Sequence, residues 1–236
     1  NIKLSGNITS ICQEGNDIFW FATLEDGLFK YNRNHNVFEQ YTTQNTKGQL
    51  PSDVVRKIYC DMAKNIWVAT TKGLCRYSRE TNRFVSYAKE NSFGSNEMMS
   101  IYEDGDGNIW AGSWGSGLGL LNRNTYAFST YFTSQDEIYV SHIRAIKEYK
   151  RGQILVGADD GLYIIEPGTE KCWRVDNPKD YMSLSDQNVY DIYQDREGGF
   201  WIGTYFGGVN YLKDHRYSSG ITHYYPAIGE HTLTGS

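Results

Sequence analysis

Apolar residues in this chain come in short runs that return in a fixed order, and the runs do not follow a 3.6-residue helical stripe. The densest runs are IFWFAT at Ile18 to Thr23, IWVAT at Ile66 to Thr70, IWAGS at Ile109 to Ser113, ILVGA at Ile154 to Ala158 and FWIGT at Phe200 to Thr204. Their centres, Trp20, Trp67, Trp110, Leu155 and Trp201, are 47, 43, 45 and 46 residues apart. A glycine followed by an apolar residue comes after each run, at Gly27, Gly73, Gly117, Gly161 and Gly208, with spacings of 46, 44, 44 and 47. A third apolar segment precedes each run. A pair three residues apart closes each repeat: Phe38 and Tyr41, Phe84 and Tyr87, Phe128 and Tyr131, Cys172 and Val175, Ile221 and Tyr224. The pattern predicts five repeats of four short strands, at about 4–49, 50–93, 94–138, 139–183 and 184–232.

The second strand of each repeat is apolar at consecutive positions, so both of its faces must be covered. Four-stranded sheets stacked radially give their inner strands that environment, and the expected fold is an all-β propeller of four-stranded blades. The residue two after each central position is small (Ala22, Ala69, Gly112, Gly157 and Gly203), which predicts close backbone approach between neighbouring blades. Leu4 and Leu233 stand at the same point of the cycle. A ring closed by strands from both termini would show an offset, so the expectation is five blades of a longer array, with a complete five-bladed ring as the alternative.

Composition narrows the picture. The 236 residues include 24 Gly, 19 Tyr, 10 Phe and 6 Trp against 4 Pro, a mixture suited to short strands and glycine turns. A net charge of −5 spread along the chain argues against a nucleic-acid stripe or a polybasic membrane patch, so no nucleic acid is expected as a partner. No run of apolar residues reaches membrane-helix length, and the first residues do not read as a signal peptide.

The stretches IYEDGDGNIWAGSWGSGL, Ile101 to Leu118, and DIYQDREGGFWIGTYFGGVNYL, Asp191 to Leu212, resemble the two-component regulator propeller repeat. The resemblance runs through all five repeats. The fourth departs from it, lacking the Trp and the acidic turn before it. It implies the sensor region of a hybrid two-component system of polysaccharide-degrading Bacteroidetes, a periplasmic segment of an inner-membrane protein. Further blades and an Ig-like domain would be partners within the same protein, and a homodimer is a further expectation. The chain would then supply the later blades of a first, seven-bladed propeller, and the implied ligands are oligosaccharides released from a polysaccharide. No site residue carries over, because the matching motif is the blade framework itself.

Strand alternation puts the turns between second and third strands on one face with the links between blades. Trp114, Asp159, Asp160, Tyr205 and Phe206 occupy those turns. Aromatic rings beside acids suit a sugar, whose C–H faces stack while its hydroxyls need fixed polar partners. The alternative is that such rings, common in this turn of the repeat, only pack blade on blade. Arg56 and Arg144, equivalent positions in first strands, could meet an acidic sugar or pair with a neighbouring blade's carboxylate. Asp104-Gly-Asp106-Gly-Asn108 opens like a calcium loop, but Ile109 stands where the loop needs Gly and Gly115 where it needs Glu, so it reads as a hairpin turn. Cys12, Cys60, Cys75 and Cys172 occupy ordinary repeat positions and are expected to be free thiols. The five His form no ligand motif, and neither metal nor cofactor is expected. Three functions compete: a ligand-sensing propeller, a protein-binding scaffold, and a propeller lyase or glycosidase. An enzyme should gather unusual carboxylates or His at one end of the channel, whereas most acids here sit in equivalent turns.

Overall fold

A computed structural model describes residues 7–87, 97–125, 127–169, 171–176, 183–213 and 220–225. It divides into two compact units, Asn1–Tyr131 and Phe132–Ser236. Among the described residues the regular structure is twenty strands in five antiparallel sheets of four, each in chain order. The first unit holds three sheets. They are β1 (Ile8–Glu14), β2 (Ile18–Thr23), β3 (Leu28–Asn32) and β4 (Val37–Tyr41); β5 (Val55–Cys60), β6 (Ile66–Thr70), β7 (Gly73–Ser78) and β8 (Arg83–Ser86); and β9 (Met98–Glu103), β10 (Ile109–Ser113), β11 (Leu118–Leu121) and β12 (Phe128–Tyr131). The second unit holds β13 (Ile143–Lys150), β14 (Gln153–Ala158), β15 (Gly161–Glu166) and β16 (Lys171–Arg174), then β17 (Val189–Gln194), β18 (Phe200–Thr204), β19 (Val209–Leu212) and β20 (Ile221–Tyr224). Leu4 and Leu233, which carry the expected phase of the ends, lie outside the described residues, as do His215 and His231.

Sheet stacks on sheet through the first strands. β1 packs on β5 and β5 on β9 in the first unit, and β13 on β17 in the second. β6, β10 and β14 are buried at every position, as their unbroken apolar runs require, while β2 and β18 keep half-buried positions. At Gly157 an added Cβ would lie 2.4 Å from Val189 Cγ1 of the next sheet, so the small residue there is a packing necessity. The close approach is by side chains, where the sequence suggested backbone. At Gly203 the nearest atom, Asp191 O, is 3.9 Å away and space does not demand glycine.

The framework repeats in its polar contacts too. The indole N–H of Trp20 donates to Glu14 (2.6 Å), that of Trp67 to Asp61 (2.9 Å), that of Trp110 to Asp104 (2.8 Å) and that of Trp201 to Asp195 (3.0 Å). Each indole also lies against the Tyr that ends its own sheet, with centroids 5.4 to 5.9 Å apart for Tyr41, Tyr87, Tyr131 and Tyr224. A buried carboxylate needs its donors, and the buried indole N–H needs its acceptor. The fourth sheet loses all three partners together: Tyr149 replaces the acid, Leu155 the Trp and Val175 the Tyr, and Tyr149 stacks instead on Phe200 at 5.6 Å.

Candidate functional site

The turns between second and third strands are built alike. A Thr or Ser ending the second strand donates its hydroxyl to the carbonyl of the anchor glycine: Thr23 to Gly27, Thr70 to Gly73, Ser113 to Gly117 and Thr204 to Gly208, at 2.8 to 3.1 Å. The five anchor glycines all have positive φ, between 74° and 149°, a conformation that side-chain-bearing residues rarely adopt. At Gly27 a Cβ would also stand 2.2 Å from the carbonyl oxygen of Tyr41. The clamp and the glycine fix the turn's backbone, so the residues between them are presented on a rigid support.

A second device sits beside these turns. Near its start, every first strand carries one residue that its partner strand does not match. In β5, for example, Val55 pairs with Thr70 and Lys57 with Ala69, which leaves Arg56 extruded. The extruded residues are Thr9, Arg56, Met99, Arg144 and Tyr190. Such β-bulges redirect a side chain away from the regular pleat. Two of the five are the arginines singled out from sequence.

In the second unit the bulges and turns meet. Arg144 forms an ion pair with Asp159 in the turn of its own sheet and donates to Asn188 Oδ1 (3.3 Å) at the start of the next. Its guanidinium carbon stands 5.4 Å from the centroid of the Tyr190 ring. His142 Nδ1 is 3.0 Å from Asp159 Oδ2 and 2.8 Å from Ser141 Oγ. Tyr190 leads on to Tyr205 (centroids 6.0 Å) and Tyr205 to Phe206 (4.5 Å, ring planes at 89°). These three rings are 55%, 58% and 81% exposed, so a continuous aromatic surface borders a fixed cluster of cation, acid and amide. The turn beneath them is held by Asp186, whose carboxylate accepts the backbone N–H of Phe206 (2.8 Å) and of Asn188 (3.1 Å). Asp160 plays a bracing part: its carboxylate accepts the Tyr163 hydroxyl (2.9 Å) and its carbonyl accepts from Arg174. Burial first, and then the Asp160 charge, push the Tyr163 hydroxyl well above the usual tyrosine range, so it stays a neutral donor.

In the first unit Arg56 pairs with Glu97 of the neighbouring sheet (2.9 Å), the structural partner a bulged arginine can find. The carbonyl of the same Glu97 accepts the backbone N–H of Trp114 (2.9 Å), whose side chain is 40% exposed. Sequence reasoning missed Glu97, His142, Asn188 and Tyr190. Of these Tyr190 was findable, because it occupies the repeat position of Arg56 and Arg144.

The turn at Asp104 to Asn108 is a hairpin, and Asp104 accepts from Asp106 N, Asn108 N, Asn108 Nδ2 and the Trp110 indole. Among the described residues no group of three His, Cys, Asp or Glu side chains is placed to hold a metal, and the four cysteines are free thiols. Polar clefts of about 370 Å³ beside Lys47 and Arg83 and about 340 Å³ beside Lys64 and Arg76 contain none of the candidate residues.

Three spans of the chain, residues 49–72, 92–115 and 183–206, match the model of the two component regulator propeller family. Each span covers a first strand, its bulge and the second strand. A histidine kinase of Formosa agariphila, named Histidine kinase P4, is 29% identical over 174 residues, 70% of this chain and 13% of that protein. The extracellular domain of a protein assigned as a hybrid two component system in B. thetaiotaomicron superposes with a TM-score of 0.80 at 20% identity, covering 97% of this chain and 30% of its own. Virginiamycin B lyase of Staphylococcus aureus superposes at 0.70 with 12% identity, over 98% of this chain and 71% of its own. At those identities the likeness is one of fold, and it establishes the all-β propeller architecture for five sheets that span under a third of the sensor domain and about an eighth of the kinase. Three of the five repeats thus carry the sequence signature of the two-component regulator propeller family, which the chain resembles at those spans.

Proposed function

We propose that this chain is part of the extracytoplasmic ligand-sensing region of a membrane-spanning two-component regulator, and that it recognises oligosaccharide with the turn face of its fourth and fifth repeats. The observation that carries the reading is the Tyr205–Phe206 pair, more than half exposed yet held on a clamped turn beside Arg144, Asp159 and Asn188. Rings fixed in advance lose little entropy on binding and offer flat apolar faces to a pyranose, while the neighbouring acid and amide meet hydroxyls. The family match and the likeness to extracellular domains of two-component systems support a sensor over an enzyme. So does the local chemistry. Ser141 and Asp159 share one ring nitrogen of His142, whereas a hydrolytic relay places nucleophile and acid on opposite nitrogens.

The test is calorimetric titration of the 236-residue chain with oligosaccharides selected from an immobilised panel of neutral and uronate-containing glycans. Tyr205→Ala and Phe206→Ala should each weaken binding about tenfold to hundredfold while the melting temperature stays put, on the scale of one stacked aromatic. Trp114→Ala in the same titration reports whether the third repeat contributes. Wild-type chain that binds nothing on the panel, or aromatic variants that bind as wild type does, would overturn the reading.

A further inference from the structure

The five bulges share one frame and differ in one residue. The position before each is an apolar strand residue: Val55, Ile143 and Val189 are fully buried and Met98 is 3% exposed, with Ile8 the more open exception. Two positions beyond the bulge the chain is apolar again, at Ile58, Ile101, Ile146 and Ile192, all 5% exposed or less. Between them the bulged residue is Thr, Arg, Met, Arg or Tyr. A residue outside the ladder can change without disturbing the strand pairing on either side, because the backbone register there does not depend on its side chain. The frame therefore delivers chemically different side chains to one place in every repeat, next to the turn that carries the exposed aromatics.

We infer that the bulged residue of each first strand is the position at which this repeat sets ligand selectivity, and that in the fifth repeat it makes Tyr190 a saccharide-stacking residue. The inference rests on the saccharide reading above. Tyr190 is 55% exposed and continues the ring surface of Tyr205 at a tilt of 37°. Arg144, the bulged residue of the preceding sheet, lies under that ring and is itself fixed by Asp159 and Asn188. It is a positioning residue: its charge is met by Asp159, and what it offers is a guanidinium that holds the Tyr190 ring by cation–π contact. Two adjacent bulges thus cooperate, one as support and one as platform.

Titration with the best-binding panel oligosaccharide tests this. Tyr190→Ala should lose about tenfold in affinity and Tyr190→Phe should restore it, since the ring and not the hydroxyl does the stacking. Arg144→Gln should weaken binding by less than Tyr190→Ala does, and Arg144→Lys, which keeps a cation beneath the ring, should bind closer to wild type. Tyr190→Arg should move the panel preference toward uronate-containing glycans. If Tyr205→Ala loses affinity while Tyr190→Ala and Tyr190→Arg bind the panel as wild type does, the selectivity inference fails and the saccharide reading survives. If all of these variants match wild type, or wild type binds nothing, both fail. Unchanged melting curves for Tyr190→Ala, expected from its exposure, separate lost contact from lost fold.

Discussion

Removing the carboxylate of Asp104 should cost far more than a surface turn residue ordinarily does, and about half of that cost should be recovered when the indole it serves is removed too. Asp104 is 7% exposed and accepts four hydrogen bonds, three from the turn and one from Trp110, which is 1% exposed. The turn donors lie near the surface and can turn to water after Asp104→Ala, so they account for about 1 kcal/mol. The buried indole N–H has no such recourse. A donor stranded in that way costs about 1–3 kcal/mol, and the total for Asp104→Ala is about 3 kcal/mol. Trp110→Phe keeps most of the ring and deletes the N–H, so the double variant no longer strands a donor. Urea denaturation followed by circular dichroism, run on wild type, both single variants and the double, gives the coupling directly. It should come to about 1.5 kcal/mol of the single-variant sum recovered in the double. A coupling below about 0.5 kcal/mol would refute the reasoning, because contacts that merely share a neighbourhood add independently. The fourth repeat has made this change already, with Tyr149, Leu155 and Val175 standing in for acid, Trp and Tyr.

Further outcomes follow from the same geometry. Thiol titration should find four reactive cysteines only after denaturation: burial pushes the Cys75 thiol far above its ordinary range and the Cys12 thiol up to about 12, so both should resist reagent in the folded chain. Asp195 is held below the usual carboxylate range. Burial raises it, but donation from Gly199 N, the Trp201 indole, Glu197 N and the Tyr211 hydroxyl outweighs that. Its depressed pKa contributes stability that is present above the unfolded value and lost as pH falls through the folded one, so Asp195→Ala should flatten the acid limb of a melting-temperature profile below about pH 4. An acid limb identical to wild type would contradict the assignment. Arg144→Ala should lower stability by about 1–2 kcal/mol through loss of its half-buried pair with Asp159, and equal melting of variant and wild type would show that the pair carries nothing.

Strand number, order and the five-fold repeat were legible in the chain because they rest on local periodicity. Consecutive apolar residues at Ile66 to Thr70 admit only a strand covered on both faces, and an anchor glycine six or seven residues after each central position marks each turn. The acidic turn was also legible as a hairpin, though not the reason for its acid. That reason is a contact across six residues from Asp104 to Trp110, made only once the hairpin closes. The fourth repeat shows the same rule from the other side. Read singly, the loss of Trp looks like decay; seen in the sheet, three substitutions are one, since the acid and the buried indole N–H serve each other and the indole without its acid would be an unmet donor.

The candidate site divides in the same way. Residue types in the turns, Trp114, Tyr205 and Phe206, marked these rings as candidates from sequence, and their exposure on turns clamped by Ser113 and Thr204 is a property of the folded chain. What the sequence could not supply was register. A bulge is a mismatch between two strands, and no single strand records it, so Arg56, Arg144 and Tyr190, already equivalent in the repeat, are shown to be extruded from the ladder only by their pairing with β6, β14 and β18. Sequence determined which side chains are available and where the chain turns; the pairing of strands decided which of them stand side by side, because one extra residue in a ladder moves a side chain from the pleat to the site.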